Sequence, residues 1–322
     1  KKPFRRDTGR PAGVRITTPL MLRLRDWAKR LSQEEEIPTA ILLVGGPGNG
    51  KTDAVEGLVE DLDELLGLEG KLFDAFGSQY TGVNMDNPPR RVDVDLRTLL
   101  SNPPDRLKRT ISIVQDATEA DPTRRPGMSS QALLMEEMEE IADGSAENIY
   151  ICCVNRGKLA EASSEAQARN ADPRTLSLLT NITTAVTSSP EATSCWPLDE
   201  YPSIVAWPMD IDSLVEVHGQ ERAAIHQILV PALAEDQWPT ESECPAGEMC
   251  PFCSNRRMLS QEGALDNLAE LLRAFELGTG KRWTFRDLYS LVSYILVGDE
   301  DDLVVDGTRL APCDWAAAQV EL

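Results

Sequence analysis

One stretch, AILLVGGPGNGKTDAVEGL from Ala40 to Leu58, constrains the fold more than any other. An apolar run, Ile41 to Val44, enters a glycine-rich loop and then a helix-forming segment from Asp53 onward. The spacing G-x-x-x-x-G-K-T is met by Gly45, Gly50, Lys51 and Thr52. Glycines let the backbone curl until several N–H groups point at one anion. The helix that starts at the loop adds the positive end of its dipole. The expected triphosphate-binding residues are therefore Gly45, Gly46, Pro47, Gly48, Asn49, Gly50, Lys51, Thr52 and Asp53. Lys51 is expected to reach the β- and γ-phosphates, and the Thr52 hydroxyl to take a coordination site on Mg²⁺. The bland alternative is a chance glycine turn between a strand and a helix.

The chain around this loop alternates in the same way. A helix is expected from Thr18 to about Ser32, and the helix after the loop ends near Gly67. KLFDAF (Lys71 to Phe76) and RRVDVDL (Arg90 to Leu96) read as strand-like, the second bounded by the proline pairs Pro88–Pro89 and Pro103–Pro104. TISIVQDATEAD, from Thr110, is a strand ending in acids. SSQALLMEEMEEIADG is an amphipathic helix with Leu133, Leu134, Met138 and Ile141 as its stripe and Gly144 as its stop. NIYICCVNRG, from Asn148, is a buried strand. DPRTLSLLTNITTAV is a helix capped by Asp172, with Pro173 in its first turn. YPSIVAWPMD, from Tyr201, is the next strand. This alternation predicts an α/β fold with a parallel sheet covered by helices on both faces. After about residue 211 helices are expected near 212–234, 260–277 and 284–297, with no buried strand before Leu303 to Val305. Four segments follow: an N-terminal arm and helix (1–38), a P-loop core (39–211), a linker helix with a cysteine-bearing loop (212–258), and a helical C-terminal part (259–322). The arm carries Lys1, Lys2, Arg5, Arg6, Arg10 and Arg15 and reads as solvated.

A phosphate loop needs an acid from a neighbouring strand to hold Mg²⁺. Asp116 stands just past the apolar run Ile111 to Val114 and is assigned to the Mg²⁺ shell. Glu119 is the nearest glutamate able to polarise an attacking water. With the phosphate loop, these residues resemble the AAA+ family of P-loop ATPases, whose second motif is four apolar residues followed by Asp-Glu. Here Gln115 directly follows the apolar run and Ala117 follows Asp116, so Asp116 can also stand at the glutamate position. The family carries a polar residue at the end of the next strand, and Asn155 matches it; Asn155 reads equally as the cap of the helix beginning RGKLAEA.

The C-terminal helical part is similar to the family's lid. In TGKRWTFRDLYSLVSYIL, Thr284 and Asp287 have capping-box spacing, which sets Arg286 in the first turn of an apolar helix. The resemblance implies that Arg286 faces a phosphate, with Arg282 as runner-up. It also implies an arginine acting on the next subunit; none precedes the last core strand directly, and Arg169 and Arg174 are weak nominees. The implied fold is a P-loop core followed by a smaller helical lid. The implied activity is Mg²⁺-dependent ATP binding and hydrolysis, coupled to conformational change in a homo-oligomer that works with a partner protein. Pro208–Asp210, the cysteine loop and GKRWTFRDL look similar to large ATPases of bacterial antiviral-defence operons. The competing functions are a P-loop small-molecule kinase and a non-hydrolysing nucleotide-dependent switch.

CPAGEMCPFC contributes Cys244, Cys250 and Cys253, and its C-x-x-C end is a zinc hook that lacks a local fourth ligand. Cys313, Cys195, His218 and His226 are the candidates to complete it; three loop cysteines without metal are the bland alternative. Cys152 and Cys153 read as core filler.

Charge and hydropathy bound the partners. The formal net charge of −21, from 53 acidic and 32 basic residues, argues against a broad nucleic-acid surface while leaving room for a local basic groove. No stretch approaches the roughly 20 apolar residues of a membrane helix. KKPFRRDTGRP has no apolar core after its charges, so no signal peptide is expected. Seven cysteines without such a signal point to a reducing compartment, and the expected localisation is cytoplasmic. The chain starts without methionine and ends in DWAAAQVEL, which reads as a helix cut partway, as in a piece of a longer protein.

Overall fold

The computed structural model describes residues 15–81, 89–122, 125–143, 148–187, 193–219, 222–299, 303–305 and 307–320. Lys1, Lys2, Arg5, Arg6 and Arg10 of the basic arm, Pro88, and the helix stop at Gly144 lie outside the described residues. The chain divides between Ile211 and Asp212 into two compact units; the second also takes in the segment just before Pro19.

The first unit is α/β. In chain order it contains α1 (Pro19–Ser32), β1 (Ala40–Val44), α2 (Lys51–Leu65), α3 (Lys71–Thr81), β2 (Arg91–Asp95), β3 (Thr110–Val114), α4 (Ser130–Ala142), β4 (Ile149–Val154), α5 (Arg156–Ala168), α6 (Pro173–Ala185) and β5 (Ile204–Pro208). The five strands form one sheet in the order β2-β3-β4-β1-β5. β1 pairs in parallel with β4 and β5, and β3 with β4. Alternate residues of each strand feed opposite faces, as the two-residue strand period requires. Ile41, Leu43, Ile113, Ile151 and Val205 pack with α1, α2 and α3. Leu42, Val44, Val114, Cys152 and Ala206 pack with α4, α5 and α6. Both faces are therefore covered, and the central strands read as continuous apolar runs because neither face meets water.

The strand β2 runs antiparallel to β3, so the sheet is mostly and not wholly parallel. Its burial alternates: Val92 and Val94 are buried, while Arg91, Asp93 and Asp95 are half-exposed. That suits an edge strand, because its outer charges reach solvent. KLFDAF is not a strand but the start of α3. Leu72, Phe73, Phe76 and Tyr80 are buried there, which is a helical spacing. Asp63 fixes the start of α3 by accepting from the amides of Gly70, Leu72 and Phe73.

The second unit is mainly helical: α7 (Ala224–Ala232), α8 (Pro251–Leu259), α9 (Ala264–Thr279), α10 (Phe285–Val297), the two-residue strands β6 (Val304–Val305) and β7 (Thr308–Arg309), and α11 (Pro312–Val320). The expected helix over 212–234 is confined to Ala224–Ala232, because residues 212–219 run as turns and bridges. Part of the cysteine-bearing loop is helical instead: α8 opens with Pro251 at its first position. Leu303 is buried, but β6 itself is not. No helix among the described residues is long and apolar enough to cross a membrane.

One ion pair in the first unit is deeply buried. Arg90 is 3% exposed and Glu137 6% exposed, and the guanidinium donates to the carboxylate. The Tyr150 hydroxyl donates to the same carboxylate at 2.9 Å. Removing one partner leaves an uncompensated buried charge. Glu137→Gln should therefore destabilise the first unit by about 3–5 kcal/mol, while Arg90→Met with Glu137→Leu should be far milder. Chemical denaturation of both variants checks this; equal losses would contradict it.

Candidate functional site: the glycine loop and its surroundings

The loop leaves β1 held on both sides. The Gly45 amide donates to the Val154 carbonyl at 3.0 Å, and the Met209 amide donates to the Val44 carbonyl at 2.8 Å. The ladders with β4 and β5 thus continue past the strand ends. A Cβ at Gly45 would fall 2.7 Å from the Met209 Cβ, so only glycine fits there. Gly48 and Gly50 have φ of 87° and 80°, which L side chains rarely adopt. Gly50 is the N-cap of α2 and has no side chain to cap it, so the positive helix end opens on the loop. The Lys51 ammonium donates to the carbonyls of Gly45 at 2.6 Å and Gly46 at 2.7 Å. Its charge lies within the curl of the loop. Thr52 and Asp53 occupy the first turn of α2 and are half-buried.

The sheet order gives this place its chemical meaning. From β1 the chain crosses to the β2 edge over one face, through α2 and α3. From β4 it crosses to β5 over the other face, through α5 and α6. Adjacent strands whose connections depart in opposite directions open a crevice at their carboxyl ends, where ligands of open α/β sheets bind. The loop Gly45–Thr52 leaves β1 at that end, beside the end of β4.

Asn155, Asp116 and Glu119 lie past the same edge. Asn155 follows β4, and its side-chain oxygen accepts the Lys158 amide at 2.7 Å as the cap of α5. Asp116 follows β3, one strand further from the loop; its carboxylate accepts from the Thr118 amide at 3.1 Å and the Thr118 hydroxyl at 2.7 Å. Glu119 is exposed on the following turn. Between β3 and Asp116, both amide atoms of Gln115 are buried without a hydrogen-bond partner among the described residues. The same holds for the Asn49 side-chain oxygen in the loop. Arg169 pairs with Glu165, and Arg174 is exposed at the start of α6.

The sequence reading gave no role to Arg156. Its guanidinium makes a two-pronged contact with Asp210, at 3.1 and 2.6 Å. That pair joins the chain just past β4 to the chain just past β5, with β1 between them in the sheet. The signal was present in the sequence as a charged residue two positions past the end of each strand.

In the second unit the capping box at Thr284 and Asp287 is formed, and Arg286 is exposed in the first turn of α10. Arg282 has a structural partner. Its guanidinium donates at 2.9 Å to Glu276, which is 2% exposed. Glu276 also accepts from the Ser213 hydroxyl at 2.7 Å, Arg273 at 2.9 Å and the Trp283 amide at 3.1 Å. Burial pushes the Glu276 carboxyl up, but these donors outweigh it and hold its pKa below the ordinary carboxylate value.

The cysteines also assemble here. Cys313 joins Cys244, Cys250 and Cys253 in one group that can hold a metal ion such as zinc. The other three candidates go elsewhere: Cys195 belongs to the first unit, His218 contacts the Ser213 carbonyl, and His226 contacts Asp266.

Comparison of the chain with protein-family models, with curated proteins and with solved structures gave no match.

A depressed folded-state pKa contributes stability above the unfolded value, about 4.3 for glutamate, and loses it as pH falls through the folded value. Glu276→Gln should therefore lower the stability of the second unit by roughly 2–4 kcal/mol at neutral pH. It should also remove part of the acid-induced loss below about pH 4. Unfolding midpoints from pH 3 to 7 check both; an unchanged acid limb would count against the role given to Glu276.

Proposed function

We propose that the chain binds Mg²⁺-ATP at the loop after β1 and hydrolyses it, and that hydrolysis is coupled to a conformational change in an oligomeric assembly of AAA+ type. One observation carries this reading. A loop with the G-x-x-x-x-G-K-T spacing leaves β1, a parallel strand flanked on both sides, at the switch point of the sheet, with the Lys51 charge inside its curl. In this reading the loop amides and the start of α2 bind the phosphates. Lys51 exchanges its two carbonyl acceptors for the β- and γ-phosphate oxygens. Thr52 and Asp116 hold Mg²⁺, which neutralises charge on the transferred phosphoryl group. Asn155 and Glu119 orient the attacking water. The Arg156–Asp210 pair keeps the ends of β4 and β5 at a fixed spacing around the loop. The resemblance to antiviral-defence ATPases makes that setting our inferred biological role.

A second reading, a nucleotide-dependent switch without turnover, is favoured by the end of β3. Gln115 stands there in place of an acid, and the nearest glutamate, Glu119, is exposed.

Lys51→Ala should weaken ATP binding by roughly 10- to 100-fold, the worth of charge-assisted hydrogen bonds to phosphate. Titration with a fluorescent ATP analogue reads this, and unchanged affinity would sink the proposal. Asp116→Asn should abolish Mg²⁺-dependent phosphate release, and Glu119→Gln should leave ATP bound but slow to turn over. Normal turnover in Glu119→Gln, with loss in Gln115→Ala, would move the water-polarising role to Gln115. On the family resemblance, Arg286→Ala should weaken ATP more than ADP; equal affinities for both would remove Arg286 from the site.

A further inference from the structure

Cys244, Cys250, Cys253 and Cys313 come from three places in the second unit. Cys244 lies in a turn, Cys250 and Cys253 at the start of α8, and Cys313 at the start of α11. Their sulfur atoms all lie within 4.8 Å of one another. The Cys250–Cys313 and Cys253–Cys244 separations are both 3.7 Å, and Cys253–Cys313 is 3.9 Å.

These distances decide the chemistry. A disulfide holds its sulfurs about 2.05 Å apart, and all four cysteines are free. Four thiolates bonded at about 2.3 Å to one tetrahedral zinc ion lie about 3.8 Å from each other. These three separations sit on that value, and the remaining pairs lie within 4.8 Å. Soft sulfur ligands in a tetrahedral set select zinc or iron. Sulfurs this close enclose one ion and leave no room for a multi-iron cluster.

The surroundings say what such an ion would do. The cysteines sit in a small core of their own, in which the buried residues are Cys244, Cys250, Phe252, Leu303 and Ala316. So few apolar side chains contribute little against the entropy of ordering α8, the β6–β7 pair and α11. The contact from Cys253 to Cys313 spans 60 residues, and closing long loops is where a metal clip gains most. Both helices open with proline, Pro251 and Pro312, and set cysteines at their positive ends.

We propose that these four cysteines bind one Zn²⁺ as a structural site, and that the ion fastens α11 and the β6–β7 pair to α8. Binding forms four Zn–S bonds and releases up to four thiol protons to solvent, with no change of oxidation state. The proposal is independent of the nucleotide reading.

Elemental analysis of the purified chain should give one zinc and no iron per chain. Cys313→Ser should lose that stoichiometry, and hydrogen exchange should rise across 303–320 and in α8 while the first unit keeps its protection. Cys313→His, which restores a ligand, should recover zinc and protection. Because Cys313→Ser can fail to fold, the same exchange measurement is made on the unaltered chain with and without a strong zinc chelator. The expected result is loss of protection in α8 and α11 as zinc is released. A chain that neither carries zinc nor binds added zinc would overturn the proposal. So would iron in its place, or full zinc and unchanged protection in Cys313→Ser.

Discussion

The parallel hydrogen-bond ladder that joins β1 to β4 on one side and β5 on the other is the constraint on which the first unit depends. Leu42 stands opposite both Cys152 and Ala206. Every residue of β1 is at most 1% exposed, so both faces of the strand are committed to packing. A slip of one residue would send each side chain to the opposite face, and the two helical layers would meet the wrong volumes. The ladder therefore fixes where the chain emerges at the carboxyl edge. The bonds from Gly45 to Val154 and from Met209 to Val44 carry that register into the loop. The position of the Lys51 charge follows from strand pairing, and the glycines only permit the backbone to reach it.

Much of this was legible in the sequence because burial on both faces leaves an unmistakable trace. Ile41–Val44 and Ile149–Val154 are uninterrupted apolar runs, Ile111–Val114 is broken only by Ser112, and all are strand. Asp172 with Pro173, and Thr284 with Asp287, announced helix starts through local hydrogen bonds that owe nothing to tertiary context. The errors have equally physical causes. KLFDAF is too short a window to separate period two from period 3.6, and only Tyr80 further on completes the helical stripe. The alternation in RRVDVDL was itself the mark of an antiparallel edge strand, but strand direction is set by pairing, which sequence does not print. The fourth cysteine could not be chosen by spacing, since Cys313 is brought in by the packing of α11. Arg156 gained interest only once neighbouring strands were known.

Each unit has its own internal means of stabilisation. The first rests on two broad apolar layers, one on each face of its sheet. The second has smaller cores and relies on polar fastenings. Glu276 collects four donors from Ser213, Arg273, Arg282 and Trp283, tying the segment after Asp212 to α9 and to the start of α10. A buried carboxylate of this kind has little tolerance for a lost partner, because each donor offsets part of its desolvation. The thiol group does the same for α8 and α11.

The central claim is that the loop after β1 binds and turns over a nucleoside triphosphate. Phosphate release from ATP by the purified chain, measured with Mg²⁺ and without any added phosphoryl acceptor, tests it most directly. Saturable, Mg²⁺-dependent release of inorganic phosphate is the predicted result. Absence of both release and ATP binding at millimolar nucleotide would contradict it.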